Sequence, residues 1–440
     1  MPLIASAALL AILTRPAPAD IPREPAQSGP KDPKEPKGQK PKKEKPKEEY
    51  PQFRLDEHPS IVFGKGSHLD LRARFSVDKA DSEASTDDPA ETATTDLGKR
   101  RIGVSGEIAN IIEFQIEREL TDNDPWRDVY GEYKQFTFAR LRGGKFKIPF
   151  SLDENTGASR LDFMFRSLSA THLAPGRDIG VMAHGRVWKR VIGYEAGVFE
   201  HDGKNARTNN TEKVFGGQTK AGRVTIEPLR NVKNAVGDLS LGVAFTQSDV
   251  PEGIAGLRGQ TVMEQTFFSS ADYFVNGPRR RTGIEMEFLP GPASIKAEWM
   301  KVETQRRGLS VEDTDLSPLV GEGWYVSGTY AITGEKKSNV TTPKKPLLQG
   351  GFGAVEVGAR VESLRFRSGA SGETGSRSPR ADVILGNRNQ VTTFGVNWYI
   401  NRFFKLQANY IREKLDDPSQ GPLPTKASFA TKAVRFQFSL

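Results

Sequence analysis

The sequence predicts an all-β fold: a transmembrane antiparallel barrel of roughly sixteen strands. Three observations carry that reading. Beyond residue 58, segments of about ten residues alternate apolar and polar with a period of two. The connections between them alternate short and long. The chain ends on an aromatic-rich alternating segment, in which Val434, Phe436, Phe438 and Leu440 oppose Arg435, Gln437 and Ser439.

From the N-terminus, Leu3 to Leu13 form an apolar run followed by Ala17-Pro18-Ala19. A small-x-small triplet after such a run predicts an export signal over residues 1–19, although no Lys or Arg precedes the run. It is too short to span a membrane, and no later stretch approaches the roughly 20 apolar residues that a spanning helix needs. The mean hydropathy of −0.53 does not argue against a membrane, because a barrel strand alternates lipid-facing with lumen-facing residues. Residues 20–57 are rich in Pro, Lys and Glu, with little to bury, and are expected to form a disordered periplasmic segment. Asp20 to Tyr50 hold nine basic and seven acidic residues. Taking that surplus and Arg15 from the formal charge of +8 leaves +5 on the remainder, so the basic character belongs mostly to the folded part. The absence of cysteine fits a cell-envelope protein.

The barrel is predicted over residues 58–440. In Leu69-Asp70-Leu71-Arg72-Ala73-Arg74-Phe75-Ser76-Val77, every odd position is apolar and every even one polar. Leu239 to Phe245 repeat the pattern. Ile284, Met286 and Phe288 oppose Arg281, Gly283, Glu285 and Glu287; Val355, Val357, Ala359 and Val361 oppose Glu356, Gly358, Arg360 and Glu362. Further strands are predicted around Ile102, Ile112, Val129, Phe146, Ile179, Tyr194, Val224, Trp299, Tyr325, Phe394 and Leu406. Short turns fall near Asn110, Lys134, Lys189, Pro228, Pro290 and Asn401. Long polar connections are read at 78–98, 148–176, 200–215, 247–278, 303–321, 367–388 and 413–425. Short turns at one end and long loops at the other are the pattern of an outer-membrane barrel. Thr333 to Gly350 is long where a short turn was due. Trp188, Trp299, Trp324 and Trp398 suit interfacial girdles.

The sequence resembles the phosphate-selective porins of the O and P type over nearly all of residues 60–440. The resemblance is carried by Phe394-Gly395-Val396-Asn397-Trp398-Tyr399-Ile400-Asn401 running into Leu406-Gln407-Ala408-Asn409-Tyr410-Ile411. It is supported by Ile332-Thr333-Gly334-Glu335, Lys296-Ala297-Glu298-Trp299-Met300, Phe146-Lys147-Ile148-Pro149-Phe150 and Ala174-Pro175-Gly176-Arg177-Asp178. It implies a sixteen-stranded homotrimeric barrel in the cell outer membrane, with a loop folded inward to constrict the pore. It also implies an arginine ladder leading to a lysine-rich centre, and inorganic anions (phosphate or polyphosphate) as the solutes.

Anion passage needs fixed positive charge in a narrow lumen, and arginine supplies it at any pH through a fork that binds oxyanions bidentately. By parity Arg72 and Arg74 share the polar face of the first strand, and Arg101 lies with Gly103, Ser105 and Glu107. Arg72 and Arg101 match ladder positions of the family, and Asp128 matches a carboxylate near its site. The stretch 148–176 is the expected inward loop, with Arg160 and Arg166 around the apolar patch Leu161, Phe163, Met164 and Phe165; Lys145 and Lys147 precede it on one face. Arg360 and Arg435 are inward by parity. Arg140 and Arg142 fall on the face opposite Lys145 and Lys147, beside Phe138 and Phe146, and face the lumen only if Gly143-Gly144 makes a bulge. Where the family has an early loop lysine this chain has Asp153-Glu154. A carboxylate there opposes a dianion, so the pattern supports anion preference more directly than phosphate binding.

Enzyme chemistry is not expected. The five histidines are scattered and form no HExxH pair, and the chain has no P-loop, GxSxG elbow or Rossmann fingerprint. No cofactor or metal is expected, and nucleic acid is not a partner of exported alternating strands; outer-membrane lipids are. The competing reading is a general, non-selective porin or a structural barrel, supported by the inward glutamates Glu107, Glu113, Glu117, Glu285 and Glu287.

Overall fold

The computed structural model describes residues 50–55, 58–85, 93–120, 125–203, 218–233, 235–254, 256–269, 273–338, 341–347, 349–368 and 375–440. The expected export signal and all but the end of the expected disordered segment lie outside these residues. That end is ordered: β1 (Gln52–Arg54) pairs antiparallel with β2 (Ser60–Gly64), and β2 in turn with the start of the next strand. The described strands therefore begin a few residues before the expected boundary at residue 58.

The strands that follow are β3 (Ser67–Ser82), β4 (Ala93–Ile108), β5 (Ile112–Glu119), β6 (Trp126–Tyr133), β7 (Arg140–Lys147), β8 (Arg177–Val187), β9 (Ile192–Phe199), β10 (Thr219–Ile226) and β11 (Asp238–Ile254). A small separate hairpin, β12 (Arg258–Gln260) and β13 (Thr266–Ser269), comes next. The chain continues through β14 (Phe274–Leu289), β15 (Ala293–Arg306), β16 (Leu316–Ala331), β17 (Ala354–Ser368), β18 (Asn387–Tyr399), β19 (Phe404–Leu415) and β20 (Ser428–Ser439). Each strand of the main sheet pairs antiparallel with its chain neighbour, and β20 closes onto β3 from Thr431↔Ser82 to Ser439↔Arg74. Setting aside the short β1 and β2, sixteen strands form the closed barrel among the described residues. Closure leaves no unpaired edge, the condition for a sheet to cross a bilayer.

All sixteen segments located by alternation fall inside these strands. Several long loops were read too wide. β3 and β4 extend to Ser82 and from Ala93, because polar residues continue the hydrogen-bonded ladder beyond the apolar zone that marks a strand in sequence. The two faces separate as the period demands. Val243 is 56% exposed and Val326 49%, whereas Thr246 and Ser248 on the opposite face are 0% and 1%. An apolar outer band of this kind includes Phe75, Ile102, Val181, Val224, Ile284, Val361, Phe394 and Phe436.

The connection between β7 and β8 sets the interior. It carries α1 (Leu152–Asn155), one 3-10 turn (Ala158–Arg160) and α2 (Leu168–Leu173). Inner-face side chains of distant strands bind its backbone. Glu298 on β15 accepts from Leu152 N (2.6 Å) and Asp153 N (2.9 Å), and Glu362 on β17 accepts from Leu168 N (2.6 Å). Both carboxylates thus satisfy amides that a helix start leaves open. Arg360 donates to Phe165 O (3.0 Å), Lys405 to Leu161 O (2.7 Å) and Arg435 to Met164 O (2.7 Å). The connection therefore lies against the inner wall. Glycines of the wall make the approach possible: a Cβ on Gly321 would stand 2.8 Å from Leu173, and one on Gly395 3.1 Å from Phe163.

Phe150, Leu168 and Leu173 of this connection join Leu257, Val262, Phe267, Phe268 and Tyr273 around the β12–β13 hairpin. Together with Leu319, Leu364 and Phe366 of the wall they form one apolar core inside the barrel. Inner-face residues of β14–β20 are accordingly almost all buried, while several of those of β3–β7, Arg72, Arg74, Gln115 and Tyr130 among them, are only partly buried. The open inner face belongs to the β3–β10 side. From the opposite end the long 332–353 connection also reaches inward, and Lys337 Nζ meets Asp162 at 2.7 Å.

Candidate functional site

The half-exposed wall and the inward connection bring together most of the residues singled out from sequence. Arg72, Arg74 and Arg101 share the inner face: Arg72 pairs across the ladder with Gly103, and Arg74 with Arg101. Their environments differ. Arg101 is held between Glu117 (2.7 Å) and Glu119 (2.9 Å), with only 8% of its side chain exposed, so two carboxylates surround one guanidinium. Arg72 is held loosely, 3.4 Å from Gln115 and 4.0 Å from Glu117. Arg74 Nε is buried without a hydrogen-bond partner among the described residues, and the charges acting on that side chain are those of Arg101, Glu117, Arg72 and Arg177. A guanidinium kept among like charges with an unused donor is an acceptor-seeking group.

Arg160 closes the 3-10 turn midway along the inward connection, exposed, with no ion pair of its own among the described residues and Arg72 as its electrostatic neighbour. Arg166 and Lys147 are committed to the connection itself. Lys147 donates to the carbonyls of Glu154 and Thr156 (3.2 Å to the latter), and Arg166 to those of Asp153 and Thr156 (2.6 Å to the latter). The same two cations flank the Glu154 carboxylate, at 3.9 Å and 3.4 Å. Asp153 accepts from Ser167 N (2.7 Å) and Oγ (3.0 Å). The acidic pair that breaks the family pattern is thus neutralised locally. Asp128 holds Arg177 in a bidentate pair of 3.1 and 2.8 Å.

Lys145 is the correction. It pairs across the sheet with Ile179 and Val129, and Ile179 is 47% exposed on the outer face. Arg142 and Arg140, on the opposite parity, face inward with no register shift and bind Glu132 at 2.5 and 3.4 Å, while Lys147, last in the strand, reaches the connection. The physical reason is Phe146. It packs inward with Ile148, Met182, Phe199 and Ala221, whereas alternation read it as lipid-facing. An apolar side chain has the same appearance in sequence whether it meets lipid or an internal core. Arg140 and Arg142, expected in the lumen only with a bulge at Gly143-Gly144, face it without one; Arg177, which binds Asp128, and Lys296, Lys337 and Lys405, which bind the connection, were not singled out as site residues. Arg360 and Arg435 face inward as read, but anchor the inward connection; Arg435 also pairs with Asp78 at 2.6 Å.

Asp162 lies at the centre of the anchors, with Lys296 at 2.9 Å and Lys337 at 2.7 Å; Lys337 also binds Glu356. Burial opposes its ionisation, yet the two lysines hold its carboxyl well below the usual range. Every carboxylate of the connection is thus matched by a cation, while Arg72, Arg74 and Arg160 keep unspent charge toward the half-exposed face. Among the described residues no group of His, Asp and Glu could hold a metal ion.

The comparisons agree with this architecture. A family model described as phosphate-selective porin O and P matches residues 69–440. A curated relative, Porin O of Pseudomonas aeruginosa, is 25% identical over 144 residues, a stretch that spans 30% of this chain and 30% of that protein. Among solved structures, the anion-selective porin from Comamonas acidovorans superposes with a TM-score of 0.52 at 12% identity, covering 85% of this chain and 100% of that one. In-vitro folded OmpT, an outer membrane protein of Vibrio cholerae, gives 0.52 at 13% identity, covering 86% and 99%. These likenesses establish the barrel fold. With the family match over most of its length, the chain belongs to the phosphate-selective porin O and P family, and is an outer-membrane channel rather than an enzyme.

Proposed function

We propose that this porin passes anions, phosphate and polyphosphate among them, by passive diffusion along the β3–β10 side of its lumen. The observation that carries the reading is the unspent charge of Arg72, Arg74 and Arg160 beside an inward connection whose own carboxylates are all paired. A fixed charge in a narrow, partly desolvated passage raises the local concentration of counter-ions and excludes co-ions. Guanidinium forks add donors that replace lost water around an oxyanion. The apolar outer band supports residence among outer-membrane lipids, and the family match and the trimer form of Vibrio cholerae OmpT support a homotrimer.

A second reading, a general porin, is favoured by Arg101, whose charge two glutamates cancel. Reversal potentials of the reconstituted protein in a KCl gradient separate the two: chloride permeates in preference to potassium if the proposal holds, and a cation-selective pore refutes it. Added phosphate then distinguishes the solute. Block of the chloride current supports phosphate binding; no block leaves a general anion channel.

A further inference from the structure

On β17–β20 the outer face changes character toward the end that carries the long connections. Its outward positions run Leu406, Ala408, Tyr410 and then Arg412 and Lys414 on β19, and Phe438, Phe436, Val434 and then Lys432 on β20. β18 runs from Trp398 through Phe394 to Arg388, and β17 from Val355 through Val361 to Arg365 and Arg367. Parity fixes the direction: Ile411, Glu413 and Thr431, between or beside these cations, are buried on the inner face. At the other end of the same four strands the outward positions hold no charge, and the ring of Phe404 lies 5.7 Å from that of Phe436 and 5.1 Å from that of Phe438. The cations are confined to one rim. Arg365 and Arg367 share Glu322, at 3.6 and 3.8 Å, and Arg388 takes Asp416 at 3.1 Å. Arg412, Lys414 and Lys432 are exposed and make no ion pair among the described residues, although Asp81 lies opposite Lys432 in the ladder. Arg365 and Arg388 stand directly opposite each other, a like-charge pairing that disfavours the sheet unless an anion lies between.

We propose that this outer rim binds a phosphate-bearing lipid of the outer leaflet. The long connections mark the extracellular end of such a barrel, so the rim stands at the headgroups of that leaflet. The acyl chains lie along the exposed stripe of Val361, Phe394, Tyr410 and Val434, and the phosphates meet Arg412, Lys414 and Lys432 above it. Long basic side chains lay their stems on apolar surface and carry their charge to headgroup height. Each cation there adds to the attraction for anionic headgroups, and a guanidinium fork matches phosphate oxygens. The position selects a lipid over a dissolved anion. A free anion meets these side chains in bulk water, where salt screens them. A lipid seated on the apolar stripe brings its phosphates to the same height and keeps them there. The lumen arginines play no part, since they lie on the opposite face of the sheet.

This inference holds whichever solute permeates. The full-length porin in neutral detergent is titrated with lipid A carrying its two phosphates, with the same lipid dephosphorylated, and with inorganic phosphate, and bound lipid is counted by native mass spectrometry. Each variant is first checked for heat-modifiable migration of a folded barrel. A surface cation is worth about five-fold in affinity for an anionic lipid, so R412Q/K414Q should bind phosphorylated lipid A roughly 30-fold more weakly than wild type. Its chloride conductance should be unchanged, and R412K/K414R should bind as wild type does. The dephosphorylated lipid should bind wild type and R412Q/K414Q alike. Equal affinity of wild type for the two lipids, or an unchanged affinity in folded R412Q/K414Q, overturns the proposal. Inorganic phosphate that displaces the lipid would mark a site for the free anion and also overturn it. So would dissociation of oligomers in R412Q/K414Q with lipid binding intact, which would mark a contact between copies. If R412Q/K414Q does not fold, K432Q decides on the same criteria, with an expected loss of about five-fold.

Discussion

Replacing Asp162 by Asn tests whether ion pairs seat the inward connection. Asp162 is 7% exposed, and its two oxygens meet Lys337 at 2.7 Å and Lys296 at 2.9 Å. Removing one partner of a buried pair costs about 3–5 kcal/mol, much of it from the charge left behind. Here Lys337 keeps Glu356, and Lys296 keeps Glu287 at 3.5 Å, so the lower end applies, about 3 kcal/mol. At 1.4 kcal/mol per decade that is roughly a 150-fold shift toward unseated forms of residues 158–164. The anchors of Leu152 N on Glu298 and Leu168 N on Glu362, both 2.6 Å, survive the substitution, so the ends of the connection stay in place. Single-channel recording should show a higher mean conductance and more open-channel noise. Anion preference should not fall, because a negative charge has been removed. Lys337→Met should reproduce the noise, and D162N/K337M should cost less than the sum of the two, as coupled partners do. Traces of D162N that match wild type in both conductance and noise, or strictly additive variants, would refute the argument. The pH dependence has a definite sign. A carboxyl held below its ordinary value contributes stability above about 3.9, the unfolded value, and loses it only as pH falls through the lower folded value. The seated state should therefore persist from pH 7 to pH 4.

Burial lowers the pKa of His172 on α2 to about 4, with the Arg258 charge adding to the effect. The neutral ring's contribution is complete above about 6.5 and is lost as pH falls toward 4, for up to about 3 kcal/mol. H172Q should lose less stability than wild type between pH 7 and pH 4 in urea titrations, and parallel curves would contradict this. Gly321→Val places a side chain where Leu173 is 2.8 Å and Phe366 3.1 Å away, and overpacking of this kind costs about 1–3 kcal/mol. The gel-shift unfolding temperature should drop, and an unchanged value would show that the connection is not packed against β16. Val243→Lys puts a charge on the outer band at a cost of about 2–4 kcal/mol near the bilayer midplane, whereas Ser240→Lys faces the lumen and should be tolerated. Equal folding yields in lipid vesicles would reverse the assigned faces.

Much of the barrel was legible because its signal is local. A period of two assigns residues to two faces, and the closing strand from Val434 to Leu440 needed no partner to be read. Arg72, Arg74 and Arg101 followed from the same parity. Parity, however, gives only which residues share a face. At β7 the two faces read alike, with Phe146 on one and Lys145 on the other, and the choice between them was made by Phe199 and Met182 on neighbouring strands. A second limit was pairing. Arg72 and Arg101 look equivalent along the chain, but register brings Glu117 and Glu119 around Arg101 and leaves Arg72 loose.

The sequence by itself determined a closed antiparallel barrel, its approximate strand number, its lipid-facing band and a basic lumen, since each follows from residues adjacent in the chain. Only the tertiary structure decided which arginines keep their charge, that Lys145 points outward, and that Asp162 meets Lys337 from the far end of the barrel. Those outcomes depend on contacts between residues far apart in the chain, such as Arg435 with Asp78, 357 positions away. Such contacts are fixed by strand register and barrel closure, which local alternation does not encode.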